Sequence, residues 1–178
     1  MDPHTIIDKY YTKGTKLYNI YISHVTDVTN KALKIARKHP DLAIDVKFLE
    51  EAAMLHDIGI YLTRAPLIYC KGEHPYIQHG YLGSELLTKE GFPKHALVCE
   101  RHTGTGLSLE TILKRKLPIP HRDMTPQSME EKIICCADKF FSTSKLGREK
   151  SVKKIRKNLG KHGKHQTEQF DEWCEMFL

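Results

Sequence analysis

With 178 residues, 40% of them apolar, the chain is long enough for one domain with a sizeable core and too short for a second beside it. A net charge of +6, no apolar stretch near twenty residues and a polar opening at Met1-Asp2-Pro3-His4 argue against a membrane span or a signal peptide, so a cytoplasmic protein is expected. The five cysteines (Cys70, Cys99, Cys135, Cys136, Cys174) are odd in number and form no Cys-x-x-Cys pair, which suits reduced core thiols.

The predicted elements are almost all helical. From about Leu17 to His39, His24, Val28, Ala32 and Ile35 fall on one stripe at helical spacing, and Pro40 ends the run. His24 therefore faces inward. Val46 to His56 forms the next helix, with Gly59 placed just past its end as a left-handed terminator. A loop through Arg64-Ala65-Pro66 and Gly72 leads to a helix from about Tyr76 to Glu90, where His79, Leu82, Gly83, Leu86 and Leu87 share a face. Pro93 opens a short helix through Arg101, after which His102 meets the turn Thr103-Gly104-Thr105-Gly106. Ser108 caps a further short helix to Lys116. A proline-rich loop, Pro118 to Pro126, precedes a helix begun by a capping box of Ser128 and Glu131, which carries Ile133-Ile134-Cys135-Cys136-Ala137 into Asp138. No strand pattern and no internal repeat is apparent.

Between Ser144 and His165 nine lysines and arginines face the single acid Glu149. Such a run reads as a solvated face, a phosphate funnel or a nucleic-acid footprint; the absence of aromatic residues for base stacking argues against single-stranded nucleic acid. If the helix bearing Asp138 continues, Lys145 and Arg148 lie two or three turns beyond it and are the candidate substrate-binding residues. Phe170, Trp173, Cys174 and Phe177 make an amphipathic C-terminal helix, expected to dock on the domain, with a homodimer contact as the alternative. Its acidic polar face speaks against a membrane.

Of the eleven histidines, His4, His39, His95, His162 and His165 sit among loop or charged residues and read as solvated, while His74 and His121 are placed to lean over a site from outside. Taken singly, an inward His24 or His79 reads more readily as a hydrogen-bonded core imidazole than as a ligand. Asp57 and Asp138 are harder to place, because an ionised carboxylate at the end of an apolar run needs a cation or a full set of donors. The pair His56-Asp57, closing Ala52-Ala53-Met54-Leu55 and followed by Ile58-Gly59, asks for a divalent metal.

The order His24, His56-Asp57 with Ile58-Gly59, and Asp138 in Ala137-Asp138-Lys139 resembles the HD superfamily of metal-dependent phosphohydrolases. The segments around His79 and His102 resemble the extra histidines of its two-metal branches. The resemblance covers roughly residues 20 to 143, leaving the basic segment and the docking helix at 144–178 in the same single domain, and it implies an all-α, HD-domain-like helical bundle. It implies that His24, His56, Asp57 and Asp138 hold one metal and that Asp57, as the catalytic carboxylate, bridges to a second held by His79 and His102. Iron or manganese suits these ligands best, with zinc, nickel or magnesium as further options. The implied reaction is hydrolysis of a phosphoester or phosphoanhydride, of a nucleotide above all, by a metal-activated hydroxide. Among the substrates of such enzymes, cyclic dinucleotides fit worst, since no adjacent His-His pair or Gly-Tyr-Pro triplet follows the His-Asp. The rival expectation is a non-catalytic metal or nucleotide sensor with a closed structural site.

Overall fold

A computed structural model describes residues 1–178. Nine α-helices make up the fold: α1 (Pro3–Tyr10), α2 (Lys16–Lys38), α3 (Val46–Leu55), α4 (His79–Lys89), α5 (Pro93–Arg101), α6 (Leu109–Lys114), α7 (Met129–Lys139), α8 (Val152–Leu159) and α9 (Lys164–Phe177). The all-helical bundle expected from the sequence is what forms. Its one departure is a minimal antiparallel hairpin, β1 (Arg64–Ala65) with β2 (Cys70–Lys71), bridged by a turn in which Tyr69 adopts φ 63°.

Local signals set the helix boundaries. The Thr15 hydroxyl accepts from the Tyr18 N–H (3.2 Å), Asp45 from Phe48 (3.0 Å), and Ser108 from Thr111 (3.2 Å), each satisfying an N–H that the helix leaves unpaired. At α7 the Ser128 hydroxyl caps Glu131 (3.2 Å), but the reciprocal half of the box is displaced by one residue: Glu131 accepts from the Gln127 N–H (2.7 Å). Arg101 of α5 donates to both Glu131 oxygens (3.1 Å each), so the same carboxylate also ties α5 to α7. The helix predicted from Tyr76 starts as a tight turn over Tyr76–Gln78 and becomes α-helical only at His79.

Two main apolar cores are formed, beside a small one of Leu107, Ile112, Ile119 and Met124, and the long helix α2 belongs to both main cores. Its C-terminal half, with Val28, Ala32 and Ile35, packs on α3, α7 and α9; the amphipathic stripe of α9 buries Phe170, Trp173 and Phe177 there, each contributing about 1.5–3 kcal/mol of transfer energy. Its N-terminal half, with Tyr21 and Val25, packs with Ile6 and Ile7 of α1, Leu55 and Ile58, and Leu86, Leu87 and Cys99 of α4 and α5. His24 sits on α2 at the seam between the two.

Several expectations are corrected. Gly59 does not terminate α3 in a left-handed conformation, since its φ is not positive; it is needed because a Cβ there would lie 2.2 Å from the His79 carbonyl oxygen and 2.5 Å from the Gly83 nitrogen. The turn after Asp57 is thereby allowed to press directly on the backbone of α4. α7 stops at Lys139, where Phe140 turns into the core under Lys31 (3.9 Å from the ring centroid) and its carbonyl accepts from the Lys150 N–H (2.8 Å). The helix therefore does not continue to Lys145 and Arg148. His95 is not solvated: it is buried, with Nε2 3.2 Å from Glu51 Oε2 and edge-on contacts to Phe48 and Phe92. His74 pairs with Gln78 (2.9 Å), and neither it nor His121 reaches the site. All cysteines are free thiols, and all but Cys174 are buried.

Candidate metal centre

His24, His56, Asp57, His79, His102 and Asp138 come from five helices and their ends, yet the structure gathers them around one point. His24 Nε2 lies 3.3 Å from Asp57 Oδ2 and 3.1 Å from Asp138 Oδ1, and His56 Nε2 lies 3.9 Å and 3.5 Å from the same two oxygens. On the other side, Asp57 Oδ1 faces His79 Nε2 at 3.4 Å and His102 Nε2 at 3.2 Å. The two oxygens of Asp57 thus divide the imidazoles into two sets. Two ligand triads, His24/His56/Asp138 and His56/Asp57/His102, have their donor atoms within 4.8 Å of one another.

The orientation of three of these rings is fixed in the same way. The Nδ1–H groups of His56, His79 and His102 donate to the carbonyls of Ala53, Tyr76 and Cys99, each three residues back and each at 2.7 Å. A carbonyl only accepts, so Nδ1 carries the proton and Nε2 presents a lone pair to the cluster. The Nε2 atoms of His79 and His102 nevertheless stand 3.0 Å apart, and His56 Nε2 is buried without a partner, as is His24 Nδ1. Lone pairs and carboxylate oxygens crowded together repel one another unless a cation lies among them. The donor set, neutral imidazole nitrogens with two carboxylates, fits a divalent transition metal.

The titration behaviour has the same cause. Burial alone would raise the Asp57 and Asp138 carboxyls, but the surrounding imidazoles, and Lys139 beside Asp138, hold both well below the usual carboxylate range. Burial pushes His79 down to about 4, so it is neutral near pH 7. Burial also opposes charge on His24, but its hydrogen bonds to Asp138 and Asp57 prevail and raise it to about 10. Without a metal, a proton on His24 does part of the work of an ion.

Supporting contacts come from residues whose part in the site the sequence did not reveal. Lys139 Nζ donates to Asp138 Oδ2 (2.7 Å) and to the His102 carbonyl (3.1 Å), tying the two halves of the site together. Gln166 of α9, buried to 2% exposure, accepts from the Thr105 N–H (2.7 Å) and donates to the Gly106 carbonyl (2.8 Å), so it braces the turn that follows His102. Gly104 in that turn has φ 62°, and a Cβ there would meet Gln166 Oε1 at 2.3 Å. The Cys99 and Cys135 thiols donate to the carbonyls of His56 (2.9 Å) and His102 (3.2 Å). A signal for Gln166 existed: it falls four residues before Phe170 on the apolar stripe of α9, where a polar side chain needs a partner.

The centre opens into a cavity of about 550 Å³. His24, Asp57, His79, His102, Asp138 and Lys139 form its floor; Pro66, Leu67 and Ile68 of the hairpin turn, with Tyr76 and Phe141, give it an apolar side. The Tyr76 ring stacks on His79 at 4.7 Å. Lys145 and Arg148 do not line this cavity; both are exposed and border a neighbouring one.

A family model described as HD domain matches residues 21–142. An uncharacterized protein of Methanocaldococcus jannaschii is 34% identical over 145 residues, which make up 79% of this chain and 78% of that protein. A tRNA (cytidine(56)-2'-O)-methyltransferase of Picrophilus torridus is 30% identical over 135 residues, 75% of this chain and 35% of that enzyme. A protein of the same name from Thermoplasma volcanium is 29% identical over 145 residues, 81% of this chain and 38% of that enzyme. The chain spans little more than a third of the length of those two enzymes. No solved structure matches. No helix is long and apolar enough to cross a membrane.

Proposed function

The chain belongs to the HD domain family, a family of metal-dependent phosphohydrolases, and on that premise we propose that it hydrolyses a phosphoester or phosphoanhydride of a nucleotide at the cluster around Asp57. The observation that carries this reading is the division of the Asp57 carboxylate, one oxygen toward His24 and His56 and the other toward His79 and His102. Divalent ions, when bound, supply Lewis-acid activation of water and neutralise charge on a phosphoryl group.

The residues of the chain do the rest. His24, His56 and Asp138 would hold a divalent ion on one side and His79 and His102 on the other, and Asp57, which faces both sets, is the catalytic carboxylate. The carbonyl anchors on three of the imidazoles keep each Nε2 aimed inward, which lowers the reorganisation needed during the reaction. Lys139 neutralises Asp138 and stands on the cavity floor, where its ammonium orients a phosphate oxygen. The apolar side made by Pro66, Leu67, Tyr76 and Phe141 receives the base and keeps water from it; the cavity volume lies in the range of small-molecule sites.

A sensor with a closed structural site is less well supported, because a structural centre is enclosed by protein whereas Asp57, His79 and His102 face a cavity with room for a ligand. The test is hydrolysis of a panel of nucleotides and phosphoesters by the metal-loaded chain, beside Asp57→Ala and Asp138→Ala. Activity in the wild type that is lost in both variants is expected; activity that persists in both would place the chemistry elsewhere.

A further inference from the structure

Next to the metal cavity lies a second one of about 340 Å³, between the segment at 142–151 and the first turn of α8, and no hydrophobic residue lines it. Lys145, Arg148, Lys150 and Lys154 stand on its wall, and none of them forms an ion pair in the structure. The single acid there, Glu149, is already held by Lys31 at 2.6 Å. Elsewhere in the same basic run the cations do find acids: Arg156 pairs with Asp171 (3.1 Å) and Lys164 with Glu168 (2.7 Å). Four uncompensated cations around one concavity repel each other, and Lys154 does so in the first turn of a helix, where the backbone dipole also disfavours positive charge. An anion relieves both.

The position of this cavity gives the anion a meaning. Ser142 and Ser144 line it and also line the metal cavity, and their hydroxyls hydrogen-bond to each other at 3.0 Å, so what separates the two spaces is polar. A small cavity of about 120 Å³ shares Asp138, Lys139 and Phe141 with the metal cavity and Lys150 and Asn158 with the basic one. The two main cavities also differ in character. One offers an apolar side for a base beside metal ligands; the other offers cations and polar groups, its one acid, Glu149, being already paired with Lys31.

We propose that the basic cavity is a second phosphate site, so that the substrate of the chain is a small nucleotide carrying two phosphate groups, one cleaved at the Asp57 cluster and the other held by Lys145, Arg148, Lys150 and Lys154. This rests on the reading of the Asp57 cluster as the hydrolytic site. It goes further by setting the substrate class: a nucleoside bisphosphate is preferred over the monophosphate.

Two measurements on the full chain test it. In the first, the metal-loaded chain hydrolyses adenosine 3′,5′-bisphosphate and adenosine 5′-monophosphate, and kcat/KM is compared. The expected preference for the bisphosphate is on the order of ten-fold or more, the size of one charge-assisted hydrogen bond. That ratio falls toward one in Lys154→Met and in Lys145→Met, both exposed positions that tolerate substitution, and stays at the wild-type value in Lys157→Met, which removes the same charge from α8 outside the cavity. Equal use of the two nucleotides by the wild type, or equal loss of preference in Lys157→Met, overturns the proposal. In the second, equilibrium dialysis measures binding of adenosine 3′,5′-bisphosphate to the wild type, to His102→Ala and to Lys145→Met/Lys154→Met. Binding kept in His102→Ala and lost in the lysine variant supports the second phosphate site even if no hydrolysis is seen, in which case it is the hydrolytic reading that fails. Binding that is unaffected by the lysine changes overturns the second site and leaves the hydrolytic reading standing.

Discussion

The Nε2 atoms of His79 and His102 face each other at 3.0 Å, while the Nδ1–H of each ring is committed to the backbone carbonyl three residues before it. Two lone pairs are held in opposition, beside an Asp57 oxygen that can only accept. Replacing either imidazole by alanine should reduce the divalent metal bound per chain. It should also lower hydrolysis by more than the roughly 10- to 100-fold seen when an outer partner of a ligand is lost. Metal analysis beside initial rates checks both; unchanged metal content in both variants would remove these residues from the centre.

The metal-free chain should show a bell-shaped dependence of stability on pH. His79 titrates at about 4 in the fold against an ordinary 6.5, so the unfolded chain binds its proton more readily, and its contribution, roughly 3 kcal/mol at most, is complete above about pH 6.5 and lost as the pH falls toward 4. His24, raised to about 10, acts in the opposite sense: its contribution is complete below about pH 6.5 and lost as the pH rises through 10. Urea unfolding of the chelator-treated chain between pH 4.5 and 10 should place the highest midpoint near neutrality. A flat profile would contradict the assignment.

Gly59→Ala should destabilise the fold by about 3 kcal/mol or more, because the added Cβ meets backbone atoms of α4 and the segment after Asp57 must lift away. A lower urea midpoint at unchanged slope is the signature. A substitution tolerated within 1 kcal/mol would mean that this contact is looser than the structure has it.

Gln166→Ala should destabilise by roughly 2 kcal/mol, since it strands the Thr105 N–H and the Gly106 carbonyl in a buried turn. As Gln166 positions His102 without touching the cavity, the variant should also bind metal more weakly, read as a higher metal concentration for half-saturation. Stability lost with metal affinity intact would make it a purely structural brace.

Much of this was legible in the sequence, and the reason is periodicity. His24 shares a stripe with Val28, Ala32 and Ile35, and His79 one with Leu82 and Leu86, so both had to face inward; the caps Ser108 and Ser128 act where their spacing placed them. What escaped depends on contacts between segments far apart in the chain. Gly59 has its role because α4 lies against it, Lys139 because His102 arrives from α5, and His95 because Glu51 waits on α3. The helix α1 went unread because it is short, and its two buried residues, Ile6 and Ile7, are adjacent rather than spaced as a stripe. The stop of α7 at Lys139 was hidden for a similar reason: Phe140 is drawn into a core assembled from α2, α7 and α9, and that ends the helix before the basic residues begin.

The most direct test of the central idea is the metal stoichiometry of the chain after expression with iron or manganese, measured by inductively coupled plasma mass spectrometry on the wild type and on Asp57→Asn, which keeps the shape of the side chain and removes its charge. One or two divalent ions per wild-type chain, with a clear fall in the variant, is the predicted result. A wild type that holds no metal, or a variant that holds as much as the wild type, would contradict the account.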